Sequence, residues 1–284
     1  MSLDGRTIAI TGAARGIGYA TAAALLERGA RVVIGDRDVA ALDEAVARLP
    51  GPVTGHPLDV TDPTSFAGFL DRARADGGDR IDVLINNAGV MPVGHLLEQS
   101  DAAIRTAIEV NLCGVLTGCR LVLPEMVARR TGHIVNIASL AGAVPVPGQV
   151  VYAGTKFAVV GLSTAMADEF AAHGVHVSVV MPPFTATDLI AGTRTPLGSK
   201  PVAPTDIAAA VVRVLEKPKT HVVVPYPMRF VAPLMSMLGP RGRRWLNARV
   251  GSDRVFLDFD ADARRAYQQR AETATGVLAR ANTE

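Results

Sequence analysis

Tyr152 and Lys156 are the residues whose types and spacing could most plainly do chemistry. Four positions apart on a helix, they share one face, about a turn from each other. A free phenol, with a pKa near ~10, is too seldom ionised to act as a base at neutral pH. A cation held beside it favours the phenolate and lowers that value. The phenol can then pass a proton to, or take one from, an alcohol or carbonyl oxygen. Lysine is the rarer cation here: the chain has 25 Arg and 4 Lys, and Lys156 is the only lysine before residue 200. A chance Tyr-x-x-x-Lys still arises in about one chain in twenty of this composition. The surrounding positions therefore decide what the pair means.

The elements that must position it read as alternating strands and helices. Thr7 to Thr11 is a β-branched run that enters Thr11-Gly12-Ala13-Ala14-Arg15-Gly16-Ile17-Gly18. An alanine- and leucine-rich helix follows from Ile17 to Arg28, and a second strand from Arg31 ends in Gly35-Asp36-Arg37. Strand, glycine turn, helix, strand is a βαβ unit. Its glycines let the backbone approach a pyrophosphate, and the helix end offers free N–H groups and positive potential. Asp36, closing the second strand eighteen residues after Gly18, is placed for an adenosine ribose. A plain strand-end acid is the alternative.

Further strands are expected over Pro52–Leu58, Ile81–Ile85, His133–Ala138, Val175–Met181 and His221–Val224. Asp59 and Val60 follow the third strand, where they could frame an adenine or simply precede a helix cap at Thr61 or Asp62. Asn86-Asn87-Ala88-Gly89 follows the fourth, as a strand tie or a ligand contact. One long helix is expected over Ala102–Arg130, broken near Pro124, with Asn111 in its apolar middle. An amide there needs a buried partner. Ser139 lies just past the fifth strand. Ligands bind outside the carboxyl ends of parallel strands, so Gly12, Asp36, Asp59, Asn86 and Ser139 should converge on one edge.

Composition bounds the rest. The 284 residues, 49% of them hydrophobic and 20% charged, suit one large α/β domain with a sizeable core. A net charge of +2 gives no reason to expect nucleic acid as a partner. Cys113 and Cys119 have neither disulfide nor metal-ligand placement, and the six histidines form no cluster. No metal is expected, and a reduced, cytoplasmic setting is. No stretch approaches eighteen consecutive apolar residues, and the polar start does not read as a signal peptide.

Taken together, these residues resemble the short-chain dehydrogenase/reductase family over about residues 5 to 225. Thr11-Gly12-x-x-x-Gly16-x-Gly18 is similar to its cofactor turn, and Asn86-Asn87-Ala88-Gly89 to its strand-four motif. Asn111, Ser139, Tyr152 and Lys156 follow its catalytic tetrad in order and spacing. The resemblance implies a Rossmann-like, doubly wound, parallel seven-stranded sheet and an enzyme that interconverts an alcohol and a carbonyl. Tyr152 would be the acid/base. Lys156 would lower its pKa and hold the nicotinamide ribose. Ser139 would bind the substrate oxygen, and Asn111 would support a water-linked proton path. Gly12, Arg15, Gly16, Ile17, Gly18, Asp36, Arg37, Asp59, Val60, Asn87, Ala88, Gly89, Pro182 and Thr187 would contact the cofactor. The family's usual Pro-Gly-x-x-x-Thr is here Pro182-Pro183-x-x-x-Thr187, which excludes any backbone conformation that needs glycine. Asp36 favours NAD, whereas Arg15 and Arg37 are near enough to take the 2′-phosphate of NADP; NAD is the preferred reading. A homodimer or homotetramer built on helices 102–130 and 151–172 is implied as well.

Residues 1–225 form the expected catalytic unit and 226–284 a helical extension. The extension opens with an apolar segment, Met228 to Leu238, continues through Arg241-Gly242-Arg243-Arg244-Trp245, and ends in a helix over Asp260–Ala281. It could cover a hydrophobic, sterol-like or long-chain substrate, join an oligomer interface, or touch a membrane surface through 226–250. The rival from another class is a dinucleotide-binding regulatory or scaffold protein without turnover, which has no need of the phenol.

Overall fold

A computed structural model describes residues 2–194, 200–225 and 238–273. Seven parallel strands form one sheet in the order β3-β2-β1-β4-β5-β6-β7. They are β1 (Thr7–Thr11), β2 (Arg31–Asp36), β3 (Val53–Pro57), β4 (Val83–Asn86), β5 (Gly132–Ile137), β6 (Val175–Met181) and β7 (His221–Val223). Every residue of β1, β4 and β5 is buried, because helices cover both faces of the sheet. One apolar cluster lies on each side. Ile8, Ile10, Leu25, Ile34 and Val211 belong to the first. Phe66, Phe69, Leu84, Val122 and Val177 belong to the second.

The helices begin with α1 (Gly16–Leu26), α2 (Val39–Arg48) and α3 (Pro63–Gly77). Asp38 caps α2 by accepting from the Ala41 N–H, and Asp62 caps α3 by accepting from the Thr64 N–H. α3 carries Pro63 in its first turn and stops at Gly78, which is left-handed at φ 91°. The long helix expected over 102–130 is α4 (Asp101–Ile108), a π turn over Glu109–Cys113, and α5 (Gly114–Arg129). Its irregularity falls at Asn111, not at the expected break near Pro124, which α5 contains without interruption. α6 (Val150–Ala171) and α7 (Pro204–Glu216) complete the wound unit. The spans 101–129 and 150–171 are long and apolar enough to cross a membrane by length and composition, yet both contribute to the core beside the sheet.

β1 and β4 are adjacent although β2 and β3 intervene in sequence. The chain therefore leaves these neighbours in opposite directions, and a crevice opens between them at the carboxyl end of the sheet. The extension contributes α8 (Pro240–Val250) and α9 (Ala261–Thr273) among the described residues. Phe256, between them, packs in a third cluster with Met91, Ala141 and Tyr152. Of the apolar segment 228–238 read from the sequence, all but Leu238 lies outside the described residues, as does the end of the last helix.

Candidate active site

A cleft of about 1550 Å³ follows the carboxyl edge of the sheet. Its first half is built on the glycine turn. Gly12 holds φ 63°, and a Cβ there would lie 2.6 Å from the Ala88 Cα, so the turn and the strand-four loop touch backbone to backbone. Thr11 Oγ1 accepts from the N–H groups of Asn87 and Ala88, each at 3.0 Å, while Asn87 Nδ2 donates to the carbonyls of Thr11 and Gly12. α1 then starts at Gly16 with no side-chain cap. Its first-turn N–H groups are the donors a pyrophosphate would use. Gly12, Arg15, Gly16 and Ile17 line the cleft. Gly18 is not among its lining residues; a Cβ there would meet the Gly12 carbonyl at 2.6 Å and Ala13 at 2.7 Å, so it is needed for closure of the turn.

Asp36 faces the same space from the end of β2. Its carboxylate accepts from the N–H of Ala14 at 3.0 Å and of Asp38 at 3.1 Å, which fixes its orientation. The two arginines expected to compete with it are already engaged. Arg15 pairs with Asp38 at 2.8 Å and Arg37 with Asp59 at 3.3 Å. Asp59, Val60, Asn87, Ala88, Gly89, Pro182 and Thr187 all line the cleft. The helix-capping acid is Asp62, so Asp59 is left to its turn with Thr61 and its pair with Arg37. Asn86 is absent from the lining. It is 3% exposed and donates to Asn136 Oδ1 at 2.9 Å, tying β4 to β5. Glycine turn, uncapped helix end, strand-end carboxylate and buried lysine together fit a nicotinamide dinucleotide.

The second half carries the phenol. Tyr152 and Lys156 share the first turns of α6, with Nζ 5.7 Å from the centre of the Tyr152 ring. Lys156 is buried and donates to the Ile137 carbonyl at 2.9 Å. Loss of water pulls its pKa down to about 8. The expected lowering of the phenol is not what this arrangement gives. Burial pushes Tyr152 up to about 12, against the downward pull of a hydrogen bond with Ser139. Ser139 caps a short turn at Leu140–Gly142 by accepting from the Ala141 N–H. Asn111 is fully buried. Its Oδ1 accepts from the Val90 N–H, and its Nδ2 donates to the Val90 carbonyl and to Thr155 Oγ1. The amide thus ties the strand-four loop to α6 behind Lys156. Gly89 lies between: a Cβ on it would stand 3.3 Å from Asn111 Oδ1 and 3.6 Å from Lys156 Nζ.

Beyond the phenol the walls turn apolar. Met91, Phe184, Leu189 and Phe256 meet there, with Gln149 and Tyr267 as polar points. None of these was singled out as a site residue in the sequence. Phe184 sits in the loop after β6 and could have been found from its position. Phe256 and Tyr267 come from the extension and carry no local motif. Arg264 explains how the extension is held. It is fully buried, and its guanidinium donates to the carbonyls of Leu189 at 3.0 Å, Ala191 at 2.9 Å and Met91. It also lies 4.7 Å from the Tyr267 ring centre, and Tyr267 Oη accepts from the Met91 N–H.

Comparison with known proteins agrees with this geometry. Residues 6–197 match the family model for short chain dehydrogenases. The chain is 38% identical over 192 residues to the 3-oxoacyl-(acyl-carrier-protein) reductase FabG of Thermotoga maritima, covering 66% of this chain and 78% of that protein. It is 38% identical over 190 residues to the oxidoreductase UcpA of Escherichia coli, covering 66% and 72%. Among solved structures, a short-chain dehydrogenase/reductase from Burkholderia phymatum in complex with NAD superposes with a TM-score of 0.75 at 26% identity, covering 83% of this chain and 94% of that one. A 3-ketoacyl-(acyl-carrier-protein) reductase from Brucella melitensis complexed with NADH gives 0.72 at 25% identity, over 78% and 98%. The chain belongs to the short-chain dehydrogenase/reductase family of oxidoreductases.

Proposed function

We propose that the protein interconverts a secondary alcohol and a ketone, with NAD as the preferred cofactor and an apolar substrate. The observation that carries this reading is the buried Tyr152–Lys156 pair, with half-buried Ser139 beside it, at the floor of a cleft that also holds Asp36. At pH 7 the elevated phenol keeps its proton, the state required of an acid that protonates a carbonyl oxygen. Ser139 donates a second hydrogen bond to that oxygen and stabilises charge as it develops. Lys156, still protonated at pH 7, stabilises the phenolate left behind. Asn111 acts as a positioning residue through Val90 and Thr155. The bound dinucleotide supplies or accepts the hydride; the protein orients the carbinol carbon and keeps water away. Met91, Phe184, Leu189 and Phe256 favour a long-chain or sterol-like substrate over a small polar one. The extension serves as its cover, held by Arg264.

NAD is preferred because Asp36 is oriented by two backbone N–H groups, while Arg15 and Arg37 are each paired with an aspartate. Assembly into a homodimer or homotetramer is supported by Ile108, Leu116, Val150 and Phe157, exposed side chains on α4, α5 and α6. Two unpaired cysteines suit a reducing, cytoplasmic compartment.

Thermal denaturation with NAD, NADH, NADP and NADPH in parallel tests the cofactor. A ligand at 100 times its Kd adds about 2.7 kcal/mol to stability. The unphosphorylated pair should raise the Tm most, and Asp36→Ala should reduce that preference about tenfold. A larger shift with NADP or NADPH would assign the selection to Arg15 and Arg37. No shift with any of the four would contradict the dehydrogenase reading and the dinucleotide-binding scaffold alike.

A further inference from the structure

The outer face of α8 differs from the other charged surfaces of the molecule. Arg241, Arg244, Trp245, Ala248 and Arg249 are exposed, at the three- and four-residue spacing of one helical stripe. Trp245 is 66% exposed, whereas Arg243 is half-exposed on the side of the helix that carries Asn247. α8 contains no acidic residue. Elsewhere arginines pair with carboxylates: Arg15, Arg28, Arg37, Arg74 and Arg254 are examples. Among the described residues, none of the four arginines of α8 has an ion-pair partner. The helix's other side is turned inward, with Asn247 5% exposed, and Asn247 and Val250 line the cleft.

We propose that α8 is a docking helix for an anionic lipid surface and that it sets the substrate end of the cleft against that surface. An arginine stem lies along apolar material while its planar head binds phosphate oxygens in pairs. An indole places an apolar body and one N–H donor at the boundary between headgroups and acyl chains. A cationic stripe around an exposed indole therefore matches an interface that is both charged and apolar, where a polyanion without aromatic groups would gain little from Trp245. Because the opposite side of the same helix lines the cleft, an apolar substrate dissolved in the bilayer would have a short route to Phe256 and Phe184. The proposal rests on α8 alone and does not depend on which carbonyl is reduced.

Trp245 is the chain's single tryptophan, so its fluorescence reports on this helix alone. The full chain should be titrated with vesicles of phosphatidylcholine and with vesicles containing phosphatidylglycerol as well. The anionic vesicles should shift Trp245 emission to the blue and carry the protein down on sedimentation, and added salt should release it. Each surface arginine is worth about fivefold in such binding. The triple variant Arg241→Gln, Arg244→Gln, Arg249→Gln should therefore weaken it about a hundredfold, while melting temperature and NADH binding stay unchanged. Equal binding to neutral vesicles, binding that survives the triple substitution, or no binding would each overturn the proposal. A blue shift with heparin but not with anionic vesicles would overturn it in favour of a soluble polyanion.

Discussion

At the scale of single residues, the site holds a cation that is only 4% exposed. Lys156 gives up its hydration for one carbonyl bond, and its pKa falls from 10.5 to about 8. The protonated amine therefore costs about 3 kcal/mol in the folded state at neutral pH. Between pH 8 and 10.5 the unfolded chain binds the proton and the folded one does not, so the wild-type protein gains stability as pH rises through that window. Lys156→Met should remove the cost but leave the Ile137 carbonyl without a donor. The cofactor-free variant should be more stable by about 1–2 kcal/mol at pH 7 and should lose that advantage by pH 10.5. Melting curves of both proteins at the two pH values test this; equal melting temperatures at pH 7 would contradict it. Turnover should be lost in the variant, because the phenolate then has no cation beside it. The Tyr152–Lys156 pair was legible from its spacing together with the glycine turn, Asn111 and Ser139 around it. That burial raises the phenol was not, since the pattern shows which residues share a face but not how much water reaches them.

At the scale of elements, the strands could be read to within a few residues, because runs such as Thr7–Thr11 and Val175–Met181 are buried on both faces and bounded by turn residues. The long middle helix could not. Pro124 looked like its weak point, yet α5 contains it, and the π turn at Glu109–Cys113 forms instead around an amide with three partners outside the helix. Tertiary bonds to Val90 and Thr155 decide that geometry, and neither is near in sequence. The same holds for Arg264, whose carbonyl partners lie 73 or more residues away. Arg264→Met should release α9 from the loops after β4 and β6. The described catalytic unit should still melt cooperatively with NADH bound, while the extension becomes protease-sensitive and KM for an apolar ketone rises about tenfold or more. An extension as resistant as in the wild type would show that Arg264 does not hold it.

At the scale of the whole molecule, a doubly wound sheet brings residues from six strand ends to one edge, and the extension closes the far side of that edge. The first half follows from the order of strands and helices and was therefore legible. The second half was open between a cover, an interface and a membrane contact, because an amphipathic segment does not reveal its partner. Phe256 and Tyr267 in the cleft wall support the cover, and the outward stripe of α8 is free for a surface. The central claim is that Tyr152 transfers the proton. Its most direct test is NADH oxidation followed at its absorbance with a panel of apolar ketones, wild type against Tyr152→Phe. The variant should bind NADH within a few-fold of the wild type and lose turnover by about a hundredfold or more. Turnover equal to the wild type, with NADH bound, would contradict the mechanism.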